Sequence, residues 1–130
     1  MVTRSEVSNK LDEFEGVVEK VEFEEGIEGR KQYHITIKPT TFEVKGPTGV
    51  MSEWIPMSPK STEESVPQGS VMDRYLTQVE ICVSAAKKAP TVKGALGLMI
   101  GKKFRFKRLK LGKDFDGHAA REYIVPVVNL

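Results

Sequence analysis

Lys103, Arg105 and Lys107 alternate with Phe104 and Phe106. Successive side chains of an extended strand leave opposite faces, so this pattern turns three cations to water and two rings inward. Cations at strand spacing neutralise the backbone charges of a polyanion and release its counterions. The trio lies within residues 86–113, which hold ten basic side chains and neither Asp nor Glu. A solvated, lysine-rich face that keeps a strand from pairing with other chains accounts for the same residues. Other candidates are scattered: Arg30 and Lys31 at a turn, His34 and Lys38 on one parity of the run KQYHITIK, Trp54 between Glu53 and Ile55, and Phe115 in a polar loop. An exposed Trp or Phe stacks on planar rings, and base stacking and core packing are equal readings for Trp54. Tyr33 shares its parity with Ile35 and Ile37 and is assigned to the core, whereas Phe115 is the aromatic expected at the surface.

Catalytic chemistry finds little to work with. His34 and His118 are far apart and stand in no metal-ligand spacing, and no glycine-rich phosphate loop of standard form is present. The DFDG run at 114–117 reads as a tight turn, because the remaining ligands of a calcium loop are missing. Cys82 is the only cysteine, which excludes an intrachain disulfide and reads as a buried thiol. The carboxylates crowded into 13–28 suggest a solvated or partner-facing surface rather than a tuned acid/base pair. The sequence therefore predicts a non-enzymatic protein that needs no metal or cofactor.

The elements that must position these residues belong to one domain, 13–130, preceded by a polar arm at 1–12. Hydrophobic content of 39% and charged content of 29% are those of a globular chain. The net charge of +2 conceals an asymmetry: residues 1–65 carry 8 Lys/Arg and 13 Asp/Glu, residues 66–130 carry 12 and 5. Such a polarised chain offers one face to a polyanion while another repels it. No apolar leader or membrane-length apolar run is visible, so a cytoplasmic protein without membrane association is expected.

Strands are expected over 14–23, 31–38, 50–57, 102–111 and 122–128. In the first, the apolar phase slips between Phe14/Val18 and Val17/Val21/Phe23, as in a strand buried on both faces at one end or bulged near Gly16. In the fourth, it slips between Phe106 and Leu109. Pro39 marks an edge or bend before 41–44 resumes, and 46–49 is a turn. A capping signal at Ser70–Asp73 opens a helix with Met72, Leu76, Val79 and Val83 on its apolar stripe, favoured over a strand across 75–83 in which Ile81 and Val83 alternate. A second helical segment, 91–100, buries Val92, Ala95, Leu96 and Met99.

Strand, strand, strand, helical insertion, strand, strand, with a glycine in the first strand, resembles the OB-fold barrel. The run VKGALGLMIGKKFR at 92–105 resembles the helix-to-strand passage of phage-type and archaeal single-stranded-DNA-binding proteins. The resemblance implies a mostly β, five-stranded OB-like barrel with a helical insertion between strands 3 and 4. It also implies single-stranded nucleic acid, DNA first, as partner, crossing the outer face of strands 2 and 3 between the loops that join strands 1–2 and 4–5. There Arg30, Lys31 and Lys38 would neutralise phosphates, His34 would border the ligand, and Trp54 and Phe115 would stack on bases; Lys103, Arg105 and Lys107 on strand 4 would carry the main phosphate track. The alternative is an OB-type protein-interaction module or accessory subunit that docks a protein partner, or a second copy, through residues 70–100.

Overall fold

The computed structural model describes residues 13–41, 49–112 and 121–130. The arm at 1–12, most of the resumed strand at 41–44, the turn at 46–49 up to Gly49, and the loop with Phe115 and His118 lie outside them. Five strands, β1 (Glu13–Glu25), β2 (Lys31–Pro39), β3 (Met51–Met57), β4 (Lys103–Lys110) and β5 (Glu122–Asn129), form one sheet. Its order is β3-β2-β1-β4-β5, and every pairing is antiparallel. Between β3 and β4 stand helix α1 (Val71–Cys82), a 3₁₀ turn (Ser84–Lys88) and the short helix α2 (Val92–Gly97). The sheet is open: β3 and β5 are its edges, and no ladder joins them.

Long β1 makes this order possible by serving two ladders. Residues 13–17 pair with β4 and residues 16–25 with β2. Gly16 stands where the ladders overlap, opposite both Pro39 and Phe104. A Cβ there would lie 2.9 Å from Ile37 Cγ2 and 3.0 Å from the Lys38 carbonyl oxygen. Gly16→Ala should therefore cost about 1–3 kcal/mol through overpacking, read as a lower urea midpoint at unchanged m-value.

Of the two accounts of the slipped phase in β1, a bulge is the one found, and it lies beyond Gly16. The β1–β2 register shifts between Val18 and Lys20, which flips the parity of all that follows. Phe14 and Val18 are buried before the shift, and Val21 packs against the same core after it. In β4 the irregularity also differs from expectation. Arg105 pairs with Val128 and Phe106 with Pro126, so β5 carries the extra residue, at Val127.

Helix α1 begins where the capping signal placed it: the Ser70 hydroxyl accepts from the Asp73 N–H, and Asp73 reaches back to the Gly69 N–H at 2.7 Å. Its buried residues are Met72, Tyr75 and Val79, so Tyr75 takes the central place expected of Leu76. α2 is shorter than the expected 91–100 but buries Val92, Ala95 and Leu96, and Met99 follows into the core. Gly101, at a φ of 81°, turns the chain into β4 while its N–H donates to the Val18 carbonyl at 2.8 Å. Tyr33, Ile35, Ile37, Ile55, Phe104 and Phe106 meet the helices in a single core. Cys82 is half-buried rather than enclosed, and partial burial still pushes its thiol up.

Glu63 ties the 58–69 loop to this core. One carboxylate oxygen accepts the Tyr33 hydroxyl at 2.5 Å and the other the Lys93 N–H at 2.9 Å. Burial, the hydrogen bond and the Glu63 charge all hold the Tyr33 hydroxyl above its ordinary value of 10.0. Tyr75 is raised by burial and then by the charges of Glu53 and Cys82. Both tyrosines thus lose protons more readily in the unfolded chain. Their stabilisation is complete below about pH 10 and falls above it by ~1.4 kcal/mol per pH unit per tyrosine. Urea melts along an alkaline pH series should show that decline, and a shallower one in Tyr33→Phe.

Candidate functional site

The outer face of the sheet carries the polar parity of each strand. Opposed residues share a face, so the registers arrange it in rows. One row runs Trp54, His34, Glu22 across β3, β2 and β1; its neighbours are Pro56, Gln32, Glu24 and Ser52, Thr36, Lys20. Further along, Lys38, Val17 and Lys103 form a row that reaches β4, followed by Glu15 with Arg105 and Glu13 with Lys107. The expected face of β2 and the cations of β4 therefore lie on one continuous surface, with β1 between them.

Trp54 dominates this surface. Its indole lies on the His34 ring at 4.6 Å between centroids and 16° between planes. Its Nε1 donates to Glu24 Oε1 at 3.1 Å. Trp54 stands on β3 and Glu24 on β1, so the indole reaches across β2 with His34 supporting it. At 38% exposure the remaining surface of the ring is open to solvent. Core packing, the equal reading at this residue, is excluded.

Hydrogen bonds hold the platform in place. Glu24 Oε1 also accepts from Gln32 Nε2 at 3.0 Å, and Glu24 Oε2 lies 3.4 Å from His34 Nδ1. His34 meets the Ser52 hydroxyl through Nε2 at 2.8 Å. Part of the acidic run thus sits inside the candidate surface, where it orients aromatic rings. Sequence reasoning passed over Glu24, Gln32 and Ser52. Gln32 was on the outward parity of β2, but nothing distinguished Glu24 from its acidic neighbours before the bulge and register were known.

Arg30 and Lys31 line a cleft of about 500 Å³ with Gln32, Pro56, Ser58 and Ser70. Because Gln32 and Pro56 form the row beside Trp54, the cleft opens next to the platform. The β4 cations are in a different state. Lys103 pairs with Glu15 at 3.5 Å, and Arg105 with Glu13 and Glu15 at 3.6 Å each. Exposed pairs of this kind add about 0–1 kcal/mol to stability, but they set a negative charge beside each cation that an anion would meet. Among the described residues, Lys107, Lys38, Lys31 and Arg30 make no ion pair.

A second carboxylate, Glu53, faces the opposite side of β3 and closes a structural seam. It is 4% exposed; Oε2 accepts the Ile124 N–H at 2.9 Å, and Oε1 takes Arg121 Nη2 at 2.8 Å and the Trp54 N–H at 3.0 Å. It links edge strand β3 to edge strand β5 where no ladder does, and its bond to the Trp54 backbone anchors the platform from beneath.

Among the described residues, no group of three His, Cys, Asp or Glu side chains is placed to hold a metal ion, and no helix is long and apolar enough to cross a membrane. In comparisons with protein-family models, curated proteins and solved structures, the chain has no match in any of the three.

Proposed function

We propose that this chain is an OB-like, non-enzymatic binder of single-stranded nucleic acid, DNA first, which crosses the outer face of β1–β4. The observation that carries this reading is the Trp54 indole, laid across β2, backed by His34 and open on its outer side. A supported, solvent-facing indole accepts any base by stacking, worth about 1–3 kcal/mol per base. Arg30 and Lys31 in the adjoining cleft, with Lys38 and Lys107, supply cations for phosphates that pair with no carboxylate among the described residues. Lys103 and Arg105 extend the track while sharing their charge with Glu13 and Glu15. The strand order, with edges β3 and β5 brought together through Glu53, supports the partly open five-stranded barrel of OB folds.

Fluorescence anisotropy of labelled oligo-dT at low salt tests the proposal. Binding should weaken as salt rises, with a log–log slope of about −0.7 for each phosphate neutralised. Lys38→Ala should lose roughly 0.7 of that slope, because among the described residues Lys38 pairs with no carboxylate. Absence of any anisotropy change at low salt overturns the reading.

A protein-docking module using residues 70–100 is the competing reading. Ile81, 67% exposed on α1, favours it. Ile100 is also exposed, at 47%, but isoleucines exposed singly are ordinary on a protein surface, so this reading ranks second. Sedimentation over a range of concentrations would reveal self-association through this segment.

A further inference from the structure

We infer that the platform prefers guanine to the other bases, reading its Watson–Crick edge through Glu24 and Gln32; this inference rests on the single-strand reading above. A carboxylate beside the stacking ring repels phosphates, so beyond orienting the indole it suits a surface that also reads a base edge. Glu24 occupies that place, bonded at Oε1 to Trp54 Nε1 and Gln32 Nε2. It is an acceptor only, and its Oε2 has just the 3.4 Å approach of His34 Nδ1, so lone pairs remain for a ligand. Gln32 carries two amide N–H groups; one goes to Glu24, and the other makes no further bond among the described residues.

Side by side, the two residues offer one free donor next to free acceptor capacity. Guanine is the base that offers this pair the most: O6 accepts from the amide, while N1–H and the N2 amino group both donate toward the carboxylate. Thymine and uracil present one N–H between two carbonyl oxygens, which face the carboxylate unfavourably. Adenine and cytosine offer an amino donor beside a ring nitrogen that accepts, so each satisfies the carboxylate once. Glu24 stands at the Nε1 edge of the indole, so a base stacked on the open side of Trp54 would bring one of its edges over the carboxylate. Glu22, opposite His34 on the same face, adds negative charge that favours donor-rich edges and repels phosphate.

The test compares three labelled strands of about twelve nucleotides with the full chain at low salt: oligo-dT, the same strand with one central guanine, and the same strand with inosine, which lacks the N2 amine. Guanine should tighten binding roughly tenfold over oligo-dT, with inosine between them. Glu24→Gln should bring the guanine-to-thymine affinity ratio close to one, whatever its effect on absolute affinity. If the wild-type chain binds all three strands within about twofold, guanine reading is overturned while single-strand binding stands. If none of the strands binds, both fall. If the preference persists in Glu24→Gln, the assignment to Glu24 is overturned.

Discussion

Glu53→Ala should lower stability by about 3 kcal/mol, because it removes charge-assisted hydrogen bonds and orphans a buried N–H. The orphaned donor is Ile124 N–H, which has the Glu53 carboxylate as its partner in a buried setting. The Trp54 N–H loses its acceptor as well. Arg121 contributes much less to the balance. It is 59% exposed and lies over the Tyr123 ring at 4.7 Å, so it can return to water when the carboxylate is gone. Arg121→Ala should therefore cost only about 1 kcal/mol or less. Urea unfolding of both variants separates the two roles. Equal losses would show that Glu53 acts as a surface ion-pair partner rather than as the clasp between β3 and β5. Glu53→Gln should fall between wild type and alanine, since its amide oxygen can still accept one of the backbone N–H groups.

Trp54→Ala should weaken oligo-dT binding by about 1–3 kcal/mol, or roughly 5- to 150-fold in Kd. The indole offers the largest stacking surface on the outer face, and His34, half-buried beneath it, is a smaller substitute. Trp54→Phe should recover part of the loss because a ring remains, although the bond to Glu24 cannot form. Since Trp54 is the only tryptophan, wild-type emission reports the stacking directly and should be quenched on titration with oligo-dT. Binding by the alanine variant within about twofold of wild type would remove the platform from the proposed site. A fall in thermal stability alongside normal binding would assign the ring a structural role instead.

Much of the frame was legible along the chain because it depends on local rules. Period-two alternation marked β2, and the Ser70–Asp73 signal marked the start of α1 where the hydroxyl caps it. Phe104 and Phe106 were assignable to the core, and the intervening cations to the outside, from parity alone. The slipped phase of β1 announced an irregularity, but its position depends on how β1 pairs with β2, and that pairing involves residues distant in sequence. The same limit hid the bulge in β5, which shows only in the partnership of Arg105 with Val128 and Phe106 with Pro126.

The candidate site divides along the same line. Composition and alternation alone determined that Lys103, Arg105 and Lys107 face outward and that Tyr33 faces inward, because one strand's pleat decides both. Whether the β4 cations are free was settled by a neighbouring strand: β1 lays Glu13 and Glu15 beside Lys103 and Arg105. Trp54 was ambiguous in sequence because a large ring suits a core as well as a surface. Tertiary structure placed it on the outer face, over His34 and against Glu24, three residues from three strands. Charges and rings interact through space at a few ångströms, so their local identities are written in the sequence. Their partners exist only once β1, β2 and β3 lie side by side.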